Sequence, residues 1–106
     1  MSNVIGSFVF RDEGDGCLTG KYINRGLTTP VTECCKRRSD ASLVPFEGSY
    51  ITVWIEGTVI IVSTDLRITR VGDLFDLLWT RTDTDITVFT GKAMLHGDLL
   101  VGCYWD

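Results

Sequence analysis

Apolar and polar residues alternate along most of this chain with a period of two, in short segments separated by turn-forming residues. The clearest segment is 46–56, in which Phe46, Tyr50 and Trp54 fall on one face and Ile51 falls on the other. Successive side chains of a β-strand point to opposite faces, whereas a helix repeats its faces every three to four residues. No segment carries a convincing helical pattern, so the alternation predicts an all-β protein.

Further short segments are rich in β-branched and aromatic residues and are also predicted to be strands. They are 4–11, 17–24, 32–38, 58–64, 66–71, 74–80, 86–95 and 99–105. Turn signals that contain glycine or aspartate separate them about every 8 to 12 residues, which is typical of a sandwich or a barrel. Segment 32–38 is polar and is predicted to lie at an edge. Residues 63–65 are predicted to bend the chain between two strands.

The final segment, 99–105, is so rich in apolar residues that exposing it as a free edge would promote aggregation. Pairing it with the first segment, 4–10, removes both edges, because a closed sheet has none. The length of 106 residues is that of one domain. We therefore predict a single domain over residues 1–106, an antiparallel up-and-down meander closed into a small barrel of about eight or nine strands.

Composition and charge argue against several kinds of partner. The formal net charge of −4 repels phosphate backbones and anionic lipids, so neither nucleic-acid binding nor membrane-surface binding is predicted. The longest apolar run, 59–62, is far too short to cross a bilayer. The first residues lack the basic start and apolar stretch of a secretory signal, so a cytoplasmic location is predicted.

The cysteines are predicted to be free thiols, because a chain without a signal peptide is expected to stay in a reducing compartment. They are Cys17, Cys34, Cys35 and Cys103. None forms the Cys-x-x-Cys pair that presents two zinc ligands from one turn. The acidic segment 12–16 lacks the bidentate glutamate of a calcium loop. No metal and no cofactor is therefore predicted.

The sequence contains no evident catalytic motif. The single histidine, His96, lies in a Leu-His-Gly-Asp turn and is predicted to be an exposed turn residue rather than a general base or a metal ligand. The carboxylates in predicted strands are expected to point outward and keep the surface soluble: Glu33, Glu47, Glu56 and Asp76. An enzyme would need a cleft that holds His96 beside a carboxylate or a thiolate, so no catalytic residue is predicted.

The aromatic residues are the strongest candidates for a binding site. Most are expected to fill the core, but several could line the mouth of a barrel, where aromatic walls hold apolar or planar ligands. Arginines near strand ends could anchor an anionic group of such a ligand. The predicted ligand-binding residues are Tyr22, Tyr50, Trp54, Arg70, Trp79, Arg81 and Phe89.

A family resemblance is carried by the sequence Phe-Glu-Gly-Ser-Tyr at 46–50, by Trp54, and by the runs 72–79 and 89–101. Their glycine, aromatic and turn positions resemble the repeating hairpins of small lipocalin-like barrels of the calycin or avidin-like type, including uncharacterised bacterial members. The first strand lacks the Gly-x-Trp signature of true lipocalins. The resemblance implies the barrel fold and a cavity that holds an apolar ligand, and it carries over no specific site.

The alternation, the resemblance and the aromatic residues together predict non-enzymatic binding of a small, mostly apolar ligand inside the barrel or at its mouth. The alternative is a structural or protein-interaction module that acts as a homodimer through an apolar outer sheet face. That face would combine Ile51, Val53 and Ile55 with Leu100 or Tyr104. An enzyme is the third hypothesis.

Overall fold

The computed structural model describes residues 4–38, 45–56, 58–82, 84 and 86–106. Its strands are β1 (Ile5–Gly14), β2 (Cys17–Asn24), β3 (Val31–Arg37), β4 (Gly48–Glu56), β5 (Val59–Val71), β6 (Leu74–Arg81), β7 (Thr87–His96) and β8 (Leu99–Trp105). Each strand pairs antiparallel with the next one along the chain, and β8 pairs with β1, so the sheet is a closed barrel. The predicted all-β meander is confirmed. Within the described ranges, no helix has the length and apolar character needed to cross a membrane.

The first and last strands meet as predicted. Their register runs from Ile5 opposite Trp105 to Arg11 opposite Leu99. Because β1 also pairs with β2, and β8 also pairs with β7, neither strand presents an unpaired edge to a neighbouring molecule. Closure therefore resolves the aggregation hazard that the apolar final strand would otherwise create.

Two of the predicted strands are in fact one. The predicted bend at 63–65 does not occur, and β5 continues through it for 13 residues. The polar residue inside it, Thr64, is fully buried, and its hydroxyl is hydrogen-bonded at 2.8 Å to the hydroxyl of Thr52 on β4. A polar residue can remain inside a strand when the neighbouring strand supplies its hydrogen-bond partner. The barrel consequently has eight strands.

The prediction that 32–38 lies at an edge is also wrong. Strand β3 pairs with β2 on one side and with β4 on the other. Its polar residues suggested an exposed edge, because the residues that pair with them in the structure are far away in the sequence. A closed barrel has no edge position, so every strand presents one face to the interior.

Inward-facing glycines leave space for the aromatic rings of adjacent strands. A Cβ atom added at Gly20 would lie 2.4 Å from the Phe10 ring, and one added at Gly6 would lie 2.4 Å from the Tyr104 ring. These separations are far shorter than normal carbon–carbon contacts, so each glycine pairs with a ring that a larger residue would displace. This alternation of small and large residues fills the narrow interior.

The two ends of the barrel differ. The connections β1–β2, β3–β4, β5–β6 and β7–β8 lie at one end, which we call the closed end, and the remaining connections lie at the open end. At the closed end, Phe46 packs into the core from the connection before β4, with a left-handed φ of 70°. Its carbonyl accepts a 2.8 Å hydrogen bond from the hydroxyl of Tyr50, which fixes it there. Phe46 was predicted to begin the strand, but the strand begins at Gly48.

Candidate functional site

A small cavity lies at the open end of the barrel, and we call its lining the aromatic cup. The cup consists of Phe8, Tyr22, Glu33, Trp54, Trp79, Phe89 and Tyr104. All of these side chains are aromatic except that of Glu33. The cavity has a volume of about 20 Å³, which is room for one group the size of a water molecule.

Four rings from four different strands form a continuous circle around the cavity. In order, they belong to Tyr22 on β2, Trp54 on β4, Phe89 on β7 and Tyr104 on β8. Successive ring centroids are 6.1, 5.7, 5.2 and 5.8 Å apart, and the last distance closes the circle from Tyr104 to Tyr22. These separations are within the range of favourable aromatic pairs, so the rings support one another as well as the cavity.

Further aromatic rings lie beneath this circle. Phe8 packs against Trp79 with ring centroids 5.8 Å apart, and Trp79 in turn lies 6.3 Å from the Tyr104 ring. Phe8 and Trp79 are both buried, whereas Tyr22, Trp54 and Phe89 are half-buried and keep part of their surface in contact with solvent. The cup therefore has a buried, closely packed interior and a rim that an approaching molecule can touch.

Glu33 is the one charged residue of the cup, and it is only 3% exposed. Strand β3 directs it inward because Val31, Glu33 and Cys35 alternate along the strand and all three are buried. The indole N–H of Trp79 donates a 2.9 Å hydrogen bond to its carboxylate. The side chains of Trp54 and Thr52 lie close enough to this carboxyl to lower its pKa as well.

Burial raises the pKa of the Glu33 carboxyl from 4.5 to about 7, although the neighbouring Trp79, Trp54 and Thr52 side chains oppose this shift. Neither ion pair found in the described part of the chain involves this carboxylate, because one joins Arg38 to Asp65 and the other joins Lys92 to Asp76. Near neutral pH, the cup thus alternates between a neutral acid and a buried negative charge that has hydrogen bonds but no paired cation.

Tyr104 and Cys35 adjoin this carboxylate. The Tyr104 hydroxyl accepts a hydrogen bond from the side chain of Asn24 at 3.0 Å and donates to the carbonyl of Ile23 at 3.3 Å, so its ring is held in place. Burial raises the pKa of the Cys35 thiol well above its usual value, and the charge of Glu33 adds to the effect. The thiol therefore stays protonated and is a poor nucleophile.

The structure brings four of the predicted ligand-binding residues together in the cup: Tyr22, Trp54, Trp79 and Phe89. It places Tyr50 and Arg70 toward the closed end, where Tyr50 is fully buried and the Arg70 side chain donates to the carbonyl of Gly72 at 3.0 Å. Arg81 is exposed at the end of β6 near the open end and does not line the cavity. The arginines therefore do not supply an anchor inside the cup.

Sequence reasoning missed Phe8, Glu33 and Tyr104. The prediction that Glu33 points outward was wrong, and its phase with Val31 and Cys35 was the signal that could have found it. Tyr104 was assigned with Leu100 to an outer face, but both are buried inside the barrel, at 5% and 0% exposure. They cannot contribute to an outer dimer surface.

The other carboxylates behave differently from Glu33. Asp76 is exposed, as predicted, and Glu47 is half-buried and accepts a 2.9 Å hydrogen bond from the backbone N–H of Arg70. The side chain of Glu56 lies outside the described part of the structure. His96 is exposed at the end of β7 that is farther from the cup, so it does not reach Glu33.

The chemical character of the cup is that of a binding site for a small group. Its walls are aromatic rings, and its carboxylate offers hydrogen bonding and negative charge in a water-poor setting, where electrostatic interactions are strong. No family model, curated protein or solved structure matches this chain. Any functional assignment therefore depends on the chemistry of the aromatic cup.

Proposed function

We propose that this barrel binds a small, mostly apolar ligand at its open end, in the aromatic cup, without catalysing a reaction. The observation that supports this most directly is the circle of four aromatic rings around a cavity that reaches a buried carboxylate. A concave, largely apolar site with a single polar group is the usual form of a small-molecule site.

The barrel interior below the cup offers little room for a ligand. Many of its apolar side chains are at most 2% exposed, and these include Phe10, Leu18, Leu66, Ile68, Leu77 and Leu100. Such packing excludes an internal cavity of the several hundred Å³ that typically hold a drug-sized molecule. The ligand would therefore place one small group in the cup and rest its apolar part on the half-buried rings of the rim.

A lipocalin-like relationship is part of this proposal. The eight-stranded antiparallel barrel is consistent with that fold, and small barrels of this kind hold one ligand at or near the mouth. The narrow cup limits the size of the ligand, so affinities in the micromolar to millimolar range are expected for a molecule that contributes only a few buried atoms.

Intrinsic tryptophan fluorescence tests the proposal, because Trp54 and Trp79 line the cup and Trp105 lies outside it. The probes are two unbranched six-carbon molecules, 1-hexanol and hexylammonium. We expect at least one of them to change the emission saturably. Absence of saturable binding for both, at concentrations up to their solubility, would refute the proposed function.

A matched pair of variants locates the binding. Trp54→Ala removes one ring of the cup and should weaken probe binding by about tenfold, in line with the energy of one aromatic contact. Trp105→Ala makes the same chemical change on the exposed surface and should leave the affinity unchanged. Equal losses in the two variants would show that the probes bind elsewhere.

A homodimer remains the second proposal. On the outer face of β4, Ile51 is 39% exposed, and Val53 and Ile55 are half-buried. This patch supports a weaker case than the cup, because the residues expected from β8 point inward. Sedimentation at low micromolar concentration tests it, and a single monomeric species would remove it.

A further inference from the structure

The carboxylate of Glu33 lies where an apolar or neutral side chain would be expected. Glutamate is seldom fully buried unless a cation pairs with it, because removing the charge from water is costly. Here the surrounding groups are aromatic rings and hydrogen-bond donors, and among the described residues no Lys or Arg side chain forms an ion pair with it. No contact within the barrel requires an acid at position 33. We therefore look for the role of Glu33 in the binding of a group that enters the cavity.

The hydrogen bonds around Glu33 leave capacity for a further donor. An ionised carboxylate accepts about four hydrogen bonds; the indole of Trp79 donates one at 2.9 Å, and the side chains of Trp54 and Thr52 lie close enough to lower the pKa of the carboxyl. Because the carboxylate lines the cavity, a group that enters it can supply another. That group would be a hydrogen-bond donor, and a positively charged donor would also neutralise the buried charge.

The circle of rings favours a cation in the same place. Neighbouring ring centroids of the circle are 5.2 to 6.1 Å apart, so a group in the cavity that these rings line is within the about 6 Å at which cation–π attraction operates for any ring whose face it meets. Aromatic rings and a carboxylate around one cavity therefore offer a cation two kinds of attraction.

The size of the cavity selects among organic cations. Its volume of about 20 Å³ accommodates a group as large as a water molecule. A primary ammonium group is of that size and carries three N–H donors. A trimethylammonium group carries three methyl groups in their place, and a guanidinium group is a broad plane, so neither fits without displacing the rim.

We propose that the aromatic cup binds a primary ammonium group carried on a small apolar chain, with the Glu33 carboxylate as its counter-charge. This inference rests on the proposed function and specifies its ligand class. The ammonium group occupies the cavity and donates to Glu33, while the chain lies against the exposed surface of Trp54 and Phe89.

The test compares four six-carbon probes by tryptophan fluorescence, at about pH 8 and physiological salt, in an amine-free buffer. They are hexylammonium, 1-hexanol, hexanoate and hexyltrimethylammonium. We expect hexylammonium to bind about tenfold more tightly than 1-hexanol, in line with a charge-assisted hydrogen bond and cation–π contacts, and hexanoate not to bind. Hexyltrimethylammonium has the same charge, so it reports general attraction of cations to an acidic protein, and it should bind more weakly than hexylammonium.

Substitution assigns the preference to its residue. Glu33→Gln keeps the shape of the side chain and should reduce hexylammonium affinity by about tenfold and 1-hexanol affinity by much less, so that the preference for the ammonium group is lost. Asp76→Asn removes the same charge from the exposed surface and should preserve the preference. The comparison of the four probes on the wild-type protein can contradict the inference even if the Glu33→Gln variant folds poorly.

The outcomes separate this inference from the proposed function. Equal binding of hexylammonium and 1-hexanol, or an unaltered preference in Glu33→Gln, would overturn the ammonium site and leave a general apolar site. Tighter binding of hexyltrimethylammonium would overturn the size argument and with it the primary-ammonium assignment. Failure of all four probes would overturn both proposals.

Discussion

Strand β3 carries two inward-facing charged residues, Arg37 at the closed end of the barrel and Glu33 at the open end, and the two have very different partners. At the closed end, the Arg37 guanidinium donates to the hydroxyl of Tyr50 at 2.8 Å and to the carbonyl of Glu47 at 2.9 Å. It also lies 5.1 Å from the centroid of the Tyr50 ring. At the open end, Glu33 has hydrogen bonds from neutral groups only.

The difference distinguishes a charge that stabilises the fold from a charge that can take part in binding. Arg37 is half-buried, and its contacts with the protein's own groups close the end that Phe46 covers. Glu33 is more deeply buried and adjoins a cavity. A charged group that the fold already compensates contributes to stability, whereas one that the fold leaves without a counter-charge lowers stability and can be used in binding.

The largest expected effect comes from removing a ring at the closed end. Tyr50→Ala should lower the free energy of unfolding by about 3–5 kcal/mol, because it empties a fully buried position and removes an acceptor of Arg37. Trp54→Ala at the half-buried rim should cost only about 1–2 kcal/mol. Urea denaturation measures both, and equal losses would contradict the distinction between the two ends.

The next largest effect concerns the charge of Glu33. Its pKa is higher in the folded protein, so the stability that the neutral carboxyl contributes is fully present below pH 4.5 and is lost as the pH rises through about 7. Each pKa unit is worth about 1.4 kcal/mol, so the difference between 4.5 and about 7 corresponds to about 3 kcal/mol. Glu33→Gln should therefore stabilise the protein at about pH 8 by up to that amount and have little effect at pH 4.5.

Urea denaturation across this pH range measures that effect, with Asp76→Asn as the control for an exposed carboxylate. A Glu33→Gln variant that is no more stable than the wild type at about pH 8 would mean that the buried charge is compensated after all. Hexylammonium, if it binds as proposed, should reduce the difference between the two proteins at that pH, because binding favours the folded wild type.

A smaller effect is expected from removing single hydroxyls at the two ends. Tyr50→Phe leaves the Arg37 guanidinium without one acceptor and should cost about 1–3 kcal/mol, since a charged donor loses its partner. Tyr104→Phe removes hydrogen bonds to Asn24 and Ile23, which are neutral, and should cost about 1 kcal/mol. Thermal denaturation of the two variants measures both losses of stability. A larger loss for Tyr104→Phe than for Tyr50→Phe would mean that the more stabilising polar network lies at the open end.

The smallest effect is expected on the outer surface. Asp76→Asn disrupts a half-exposed ion pair with Lys92, in which the nitrogen and oxygen are 3.4 Å apart, and should change stability by less than about 0.5 kcal/mol. A larger loss in urea denaturation would mean that the barrel depends on surface charges, and Asp76→Asn would then be unsuitable as a control.

Much of the fold follows from local patterning. Alternation predicted the strands and the inward faces of most of them, because side-chain direction in a strand depends only on position along it. The apolar character of the final segment predicted the pairing of the ends. The four rings Tyr22, Trp54, Trp79 and Phe89 were selected on composition and faces, and they meet in the cup. The selection of Arg70 rested on proximity to a strand end, which does not say which end of the barrel the residue occupies.

What the sequence alone determined, then, is the all-β class and the inward phase of most strands, since both depend on neighbours within a few residues. Only the tertiary structure decided that β5 is continuous and that Glu33, which its phase with Val31 and Cys35 directs inward, finds a hydrogen-bond donor there. Thr64 stays in the strand because Thr52 supports it across the sheet, and Glu33 is buried because Trp79, 46 residues away, donates to it. Partners so distant in sequence become neighbours only when the barrel closes, and they determine whether a polar residue can be buried.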